Sequence, residues 1–74
     1  MPLVEVKLIE EVFTPEEKRQ VISKMTDVLV SIEGEAIRPY TVVLIEDIRS
    51  GDWGVGGKGL RTEDVHALTA AGKK

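Results

Sequence analysis

Tyr40-Thr41-Val42-Val43-Leu44-Ile45-Glu46-Asp47 is the stretch that decides the fold. It is rich in β-branched residues, and its centre, Val42 to Ile45, is apolar without interruption. A short, continuous run of this kind suits a strand buried on both faces, as in a parallel sheet. A parallel neighbour requires a crossover, so a helix and another strand should lie upstream. Both are there. Glu35-Ala36-Ile37-Arg38-Pro39 is a connector in which Pro39 biases Arg38 toward extended backbone. Gly34 marks the end of a helix, and Thr14-Pro15-Glu16-Glu17 marks its start. Thr14 can cap, Pro15 suits the first helical position, and Glu17 completes a capping box. Between them Val21, Ile22, Met25, Val28, Leu29 and Ile32 recur at spacings of one, three and four, which predicts one apolar stripe. Arg19, Gln20, Ser23, Lys24, Asp27 and Ser31 fall on the wet face. Val30 falls there as well, as an exposed valine or a subunit contact. Leu3-Val4-Glu5-Val6-Lys7-Leu8-Ile9 supplies the first strand.

The expected fold class is therefore α/β (α+β), a small β-α-β subunit over residues 1–74 as a single domain. A two-stranded sheet is too little to stand by itself. A chain near this size buries only about 60% of the surface that its unfolded form exposes. With no Cys there is no disulfide, and the single His66 has no partner at ligand spacing, so no metal is expected. Association into a homo-oligomer is the remaining way to complete the sheet.

Beyond Ile48 the pattern breaks into Arg49-Ser50-Gly51-Asp52-Trp53-Gly54-Val55-Gly56-Gly57-Lys58-Gly59. Gly54, Gly56 and Gly59 match G-x-G-x-x-G formally, but no long helix opens from them and no acidic ribose partner comes after. The P-loop pattern fails because Lys58 is succeeded by Gly59. A hairpin with Trp53 as packing anchor is the plain expectation. Thr62-Glu63-Asp64 should cap a short helix running to about Ala70, with Gly72-Lys73-Lys74 as a tail.

With a net charge of −3 and no basic stripe nothing suggests a nucleic-acid surface, and one Trp, one Tyr and one Phe are too few for a stacking platform. The longest apolar run is far short of a membrane span. Glu5 and Lys7 argue against a secretory core segment, so a cytoplasmic location is expected.

Pro2 is either a plain strand start or a candidate for chemistry. Its small side chain permits removal of Met1, which would leave a prolyl secondary amine at the head of a strand. An N-terminal amine has an ordinary pKa of about 7.7–8.0, and desolvation or nearby cations lower it. The neutral form is then abundant near neutrality, as a general base requires.

Met-Pro at the start, a β-α-β unit of this length, and Gly51-Asp52-Trp53-Gly54-Val55-Gly56-Gly57 after the second strand together resemble the 4-oxalocrotonate tautomerase family. The resemblance runs from Pro2 to about Gly57. It implies subunits whose dimers form a four-stranded sheet, three dimers commonly making a hexamer. It also implies a keto–enol tautomerase of small 2-hydroxy-dienoate or enol-pyruvate substrates, without cofactor, in which Pro2 is the general base. Trp53 stands where the family places an aromatic against the substrate. The founding pattern has an Arg soon after the first strand, where this chain has Glu11-Val12-Phe13, and another in the second strand, where Val42 falls. A monocarboxylate or aryl enol therefore fits better than a dicarboxylate, and Arg38 and Arg49 become the candidate carboxylate binders. Two alternatives stay open: a non-catalytic assembly module, in which Met1 is kept, and dehalogenase or hydratase chemistry. The second is disfavoured because Gly54-Val55 offers no acid after the aromatic.

Overall fold

The computed structural model describes residues 1–72. The order is β1 (Leu3–Ile9), α1 (Pro15–Glu33), a 3-10 helix (Glu35–Tyr40), β2 (Val42–Ile48), β3 (Trp53–Val55), β4 (Lys58–Leu60) and α2 (Thr62–Gly72). The expected β-α-β unit, hairpin and short terminal helix are all present. Of the expected tail, Lys73 and Lys74 lie outside the described residues, and Gly72 belongs to α2.

β1 and β2 pair in parallel, from Leu3 opposite Val42 to Ile9 opposite Ile48. Side chains alternate across a strand. Two ion pairs identify the faces: Lys18 of α1 reaches Asp47 at 2.6 Å, and Lys7 reaches Glu46 at 2.6 Å. The face with Val43, Ile45 and Asp47, together with Val4, Val6 and Leu8, thus lies under α1. On the other face Leu3, Val42 and Leu44 are exposed beside Glu5, Lys7 and Glu46. A single chain covers one face of β2 and leaves the second open at Val42 and Leu44, although Ile9 and Ile48, at the far end of that second face, are buried and half-buried.

α1 starts as expected, with the Glu17 N–H donating to Thr14 Oγ1 (3.0 Å) and the Thr14 N–H donating to Glu17 Oε1 (2.9 Å). Its rotation differs from the expected stripe. Val30, assigned to the wet face, is 5% exposed and a core residue, whereas Ile32 is 77% exposed and Val28 also points outward. The cause is Thr26. Its hydroxyl donates to the Ile22 carbonyl (2.7 Å), so this polar residue is satisfied within its own helix and lies half-buried on the inward side with Leu29 and Val30.

The connector is also more regular than expected. Arg38 lies inside the 3-10 helix rather than in extended backbone. The bias imposed by Pro39 is outweighed by three charge-assisted bonds of the guanidinium, two to Glu35 (3.0 and 3.1 Å) and one to Asp27 (2.9 Å).

Gly56 (φ 60°) and Gly57 (φ 85°) make the two-residue turn of the β3–β4 hairpin, a geometry that requires left-handed backbone at both positions. α2 is capped differently from expectation. Arg61 precedes the helix, its N–H donates to Asp64 Oδ2 (3.0 Å), and Thr62 is instead buried with its hydroxyl on the Glu10 carbonyl (2.8 Å).

The protomer is not compact. Its radius of gyration is 14.9 Å, against about 11 Å for a compact chain of this length. Its accessible surface is 5618 Å², whereas a monomer of this mass would show about 4,500 Å². No helix among the described residues is long and apolar enough to cross a membrane.

Candidate active site

Pro2 is held by the sheet rather than by its own side chain. The Val42 N–H donates to the Pro2 carbonyl (3.0 Å), extending the parallel ladder by one bond past Leu3. The ring is half-buried, while Met1 in front of it is exposed. The nitrogen of Pro2 is therefore fixed at the N-terminal edge of the sheet.

Arg38 belongs to this same edge, since its carbonyl accepts the Thr41 N–H (3.3 Å) immediately before β2. The bonds to Glu35 and Asp27 hold its guanidinium pKa above the ordinary range and occupy three of its five N–H donors. A carboxylate substrate would have to compete with two carboxylates already in place.

Trp53 and Arg49 lie at the other edge. Parallel strands start together and end together, so beyond Ile48 the chain leaves the sheet at the end remote from Pro2. Seven paired residues at about 3.3 Å each separate the two edges by roughly 20 Å. Arg49 accepts the Asp52 N–H on its carbonyl (2.8 Å), and its guanidinium forms no ion pair among the described residues. Trp53 pairs with Leu60 across the hairpin and is half-buried. The four residues singled out in the sequence thus form two pairs, Pro2 with Arg38 and Trp53 with Arg49, at opposite ends of one chain.

Two features of the remote edge had no signal in the sequence. The first is an open cleft of about 480 Å³ whose lining includes Glu11, Val12, Phe13, Lys18, Asp47 and His66. Glu11 turns the chain sharply into it with a left-handed φ of 60°. The second is a junction at Glu10. Its N–H donates to the Ile48 carbonyl (2.7 Å), its carboxylate accepts the Ser50 N–H (2.8 Å), and its carbonyl accepts the Thr62 hydroxyl (2.8 Å). The Thr62 N–H closes the ring on Ser50 Oγ (2.9 Å). These partners are 12 to 52 residues apart, beyond the reach of local patterns. No group of three or more His, Cys, Asp or Glu is placed to hold a metal ion among the described residues.

A family model described as tautomerase enzyme matches residues 2–63. A probable tautomerase of Dickeya dadantii is 33% identical over 60 residues, 81% of this chain and 88% of that protein. A probable tautomerase of Campylobacter jejuni is 34% identical over the whole length of both chains. Among solved structures, apo unfused 4-oxalocrotonate tautomerase superposes with a TM-score of 0.71 at 32% identity, covering 80% of this chain and 93% of that one. YwhB, a homologue of 4-oxalocrotonate tautomerase, gives 0.69 at 34% identity, covering 78% and 92%. With the edge-anchored Pro2, the β-α-β unit and the Trp53 hairpin, these likenesses establish that the chain belongs to the 4-oxalocrotonate tautomerase family.

Proposed function

We propose that this chain is a keto–enol tautomerase in which the amine of Pro2, freed by removal of Met1, is the general base. One observation carries the proposal: the Val42 N–H pins the Pro2 carbonyl to the end of the sheet, so the amine is a fixed group rather than a frayed terminus. The neutral amine takes the proton from the 2-hydroxyl of an enol. The electron pair left on oxygen forms the carbonyl, and the carbon–carbon π pair accepts the proton back from the prolinium. The protein returns to its starting charge.

The site works between copies of the chain in a homo-oligomer. Trp53, Arg49 and the Val12–Phe13 loop share one edge and Pro2 holds the other, so the remote edge of one subunit closes over the Pro2 of a second. Trp53 excludes water and keeps the amine neutral. Arg49, whose guanidinium forms no ion pair among the described residues of its own chain, takes the carboxylate. Arg38 contributes less, because Glu35 and Asp27 hold it. Val12, Phe13 and Val42 are apolar where a second carboxylate would need a cation. The substrate class is accordingly a monocarboxylate enol, aryl enol-pyruvates included, ahead of 2-hydroxy-dienedioates.

The test pairs intact mass with kinetics. Processed protein should tautomerise an aryl enol-pyruvate, and kcat/KM should rise with pH through a limb below the ordinary amine pKa. Protein retaining Met1 has an amide nitrogen at Pro2 and should lose about 10²–10⁴-fold, the usual contribution of general-base catalysis. Equal rates for both forms would remove Pro2 from the mechanism, and no turnover by either form would favour a non-catalytic assembly module.

A further inference from the structure

We propose that Thr62 is a positioning residue that sets where Trp53 stands. This rests on the assignment of Trp53 as a wall of the proposed site.

Thr62 is the one buried polar side chain among the described residues, at 9% exposure. It does not serve as the cap of its own helix, a role for which its residue type is suited. That role passes to Asp64 and the Arg61 N–H. The Thr62 hydroxyl instead reaches across the fold to the Glu10 carbonyl, and its N–H reaches Ser50 Oγ. Ser50 in turn donates its N–H to the Glu10 carboxylate. Ser50 leads into the hairpin and Thr62 comes after it, so both legs are fastened to one residue at the end of β1.

Just above this junction the hairpin base is closed. The Gly51 N–H donates to the Leu60 carbonyl (2.9 Å), and any Cβ at Gly59 would collide with the Gly51 carbonyl oxygen. The two legs therefore move as one body from Gly51 onward. Few other contacts fix that body, because β3 and β4 pair mainly with each other. The Glu10–Ser50–Thr62 ring thus sets the angle at which Trp53, three residues past Ser50, leaves the sheet. In an assembly that angle is the placement of the wall beside another subunit's Pro2.

Trp53 is the only Trp in the chain, so its fluorescence reports the hairpin independently of turnover. Thr62→Val keeps the branched shape and removes the hydroxyl, whereas Thr62→Ser keeps the hydroxyl. In Thr62→Val, KM should rise about 2- to 10-fold, the loss expected for one hydrogen bond. The ascending pH limb should move toward the ordinary amine pKa, since a displaced Trp53 no longer keeps water from the Pro2 amine. Acrylamide quenching of Trp53 should increase, and Thr62→Ser should restore both KM and quenching. Should Thr62→Val fail to fold, Ser50→Ala removes the acceptor of the Thr62 N–H and should move KM and quenching in the same direction. Unchanged KM and quenching in Thr62→Val, or a Thr62→Ser protein no better than the valine variant, would overturn the proposal. Absence of tautomerase turnover in the processed wild type would instead refute the proposed function, and quenching would still decide whether Thr62 holds the hairpin.

Discussion

Leu44→Asp should take the assembly apart. Leu44 lies on the open face of the sheet, 49% exposed, next to Leu3 and Val42 and in register with Glu5. Complete burial of a Leu side chain is worth about 1.5–3 kcal/mol, so covering the exposed half contributes roughly 1 kcal/mol per subunit. The variant loses that and strands a carboxylate in the contact beside Glu5 and Glu46. A buried, unpaired charge costs about 3–5 kcal/mol where a partner is missing. Together these give at least about 4 kcal/mol per subunit, roughly a 10³-fold weakening of association for each subunit that carries the change. The surface excess points the same way. It is about 1,100 Å² over a compact monomer, more than the roughly 800 Å² that each partner contributes to a standard interface. Sedimentation at micromolar concentration should show wild type at a multiple of the 8.1 kDa chain and the variant at lower mass with its helix signal retained. Activity should fall with dissociation, because Pro2 and Trp53 of one chain are at opposite edges. A wild type that sediments as a monomer and turns over substrate would refute the reasoning, as would a variant of unchanged mass.

Val30→Ala should lower folding stability by about 1.5–3 kcal/mol in urea titration, since it deletes two buried methyl groups and leaves a cavity. Val28→Ala, outward on α1, should leave protomer folding nearly unchanged. Gly59→Ala forces a Cβ onto the Gly51 carbonyl and should cost about 1–3 kcal/mol with a red shift of Trp53 emission, whereas Gly54→Ala meets open space and should not shift it. Arg38 holds the Glu35 carboxyl below its ordinary value of 4.5, so the stabilisation is present above that pH and is lost as pH falls through the lower folded value. Wild type should accordingly exceed Glu35→Gln in thermal stability near neutrality, and the difference should vanish in acid. A difference that persists in acid would mean that the pair is not its source.

What was legible in the sequence was local. The Thr14–Glu17 box, the β-branched run at Val42–Ile45 and the Gly56-Gly57 turn each hold their signal within a few residues, and each element formed where that signal lay. The rest depends on partners far along the chain or on bonds that residue type alone does not disclose. Thr26 reads as polar until its hydroxyl is seen on the Ile22 carbonyl, which lets it lie inward beside the buried Val30. Arg38 reads as a free cation until Asp27 and Glu35 are found on it. Thr62 reads as a cap until Glu10 claims its hydroxyl.

The division of the proposed site arises from the fold class itself. In an antiparallel pair the start of the first strand and the end of the second are neighbours, and one chain can hold a base and its wall together. In a parallel pair they are a strand length apart. Seven residues of β1 and the two-residue turn at Gly56-Gly57 leave no path by which the Trp53 hairpin could fold back over its own sheet to Pro2. The open face with Leu3, Val42 and Leu44 and the separation of Pro2 from Trp53 then share one remedy. A second copy that buries the face can also bring its hairpin to the proposed base, Pro2. Selection for a working site and selection for a stable small chain would therefore act on the same contacts, and substitutions on that face should change turnover and association together.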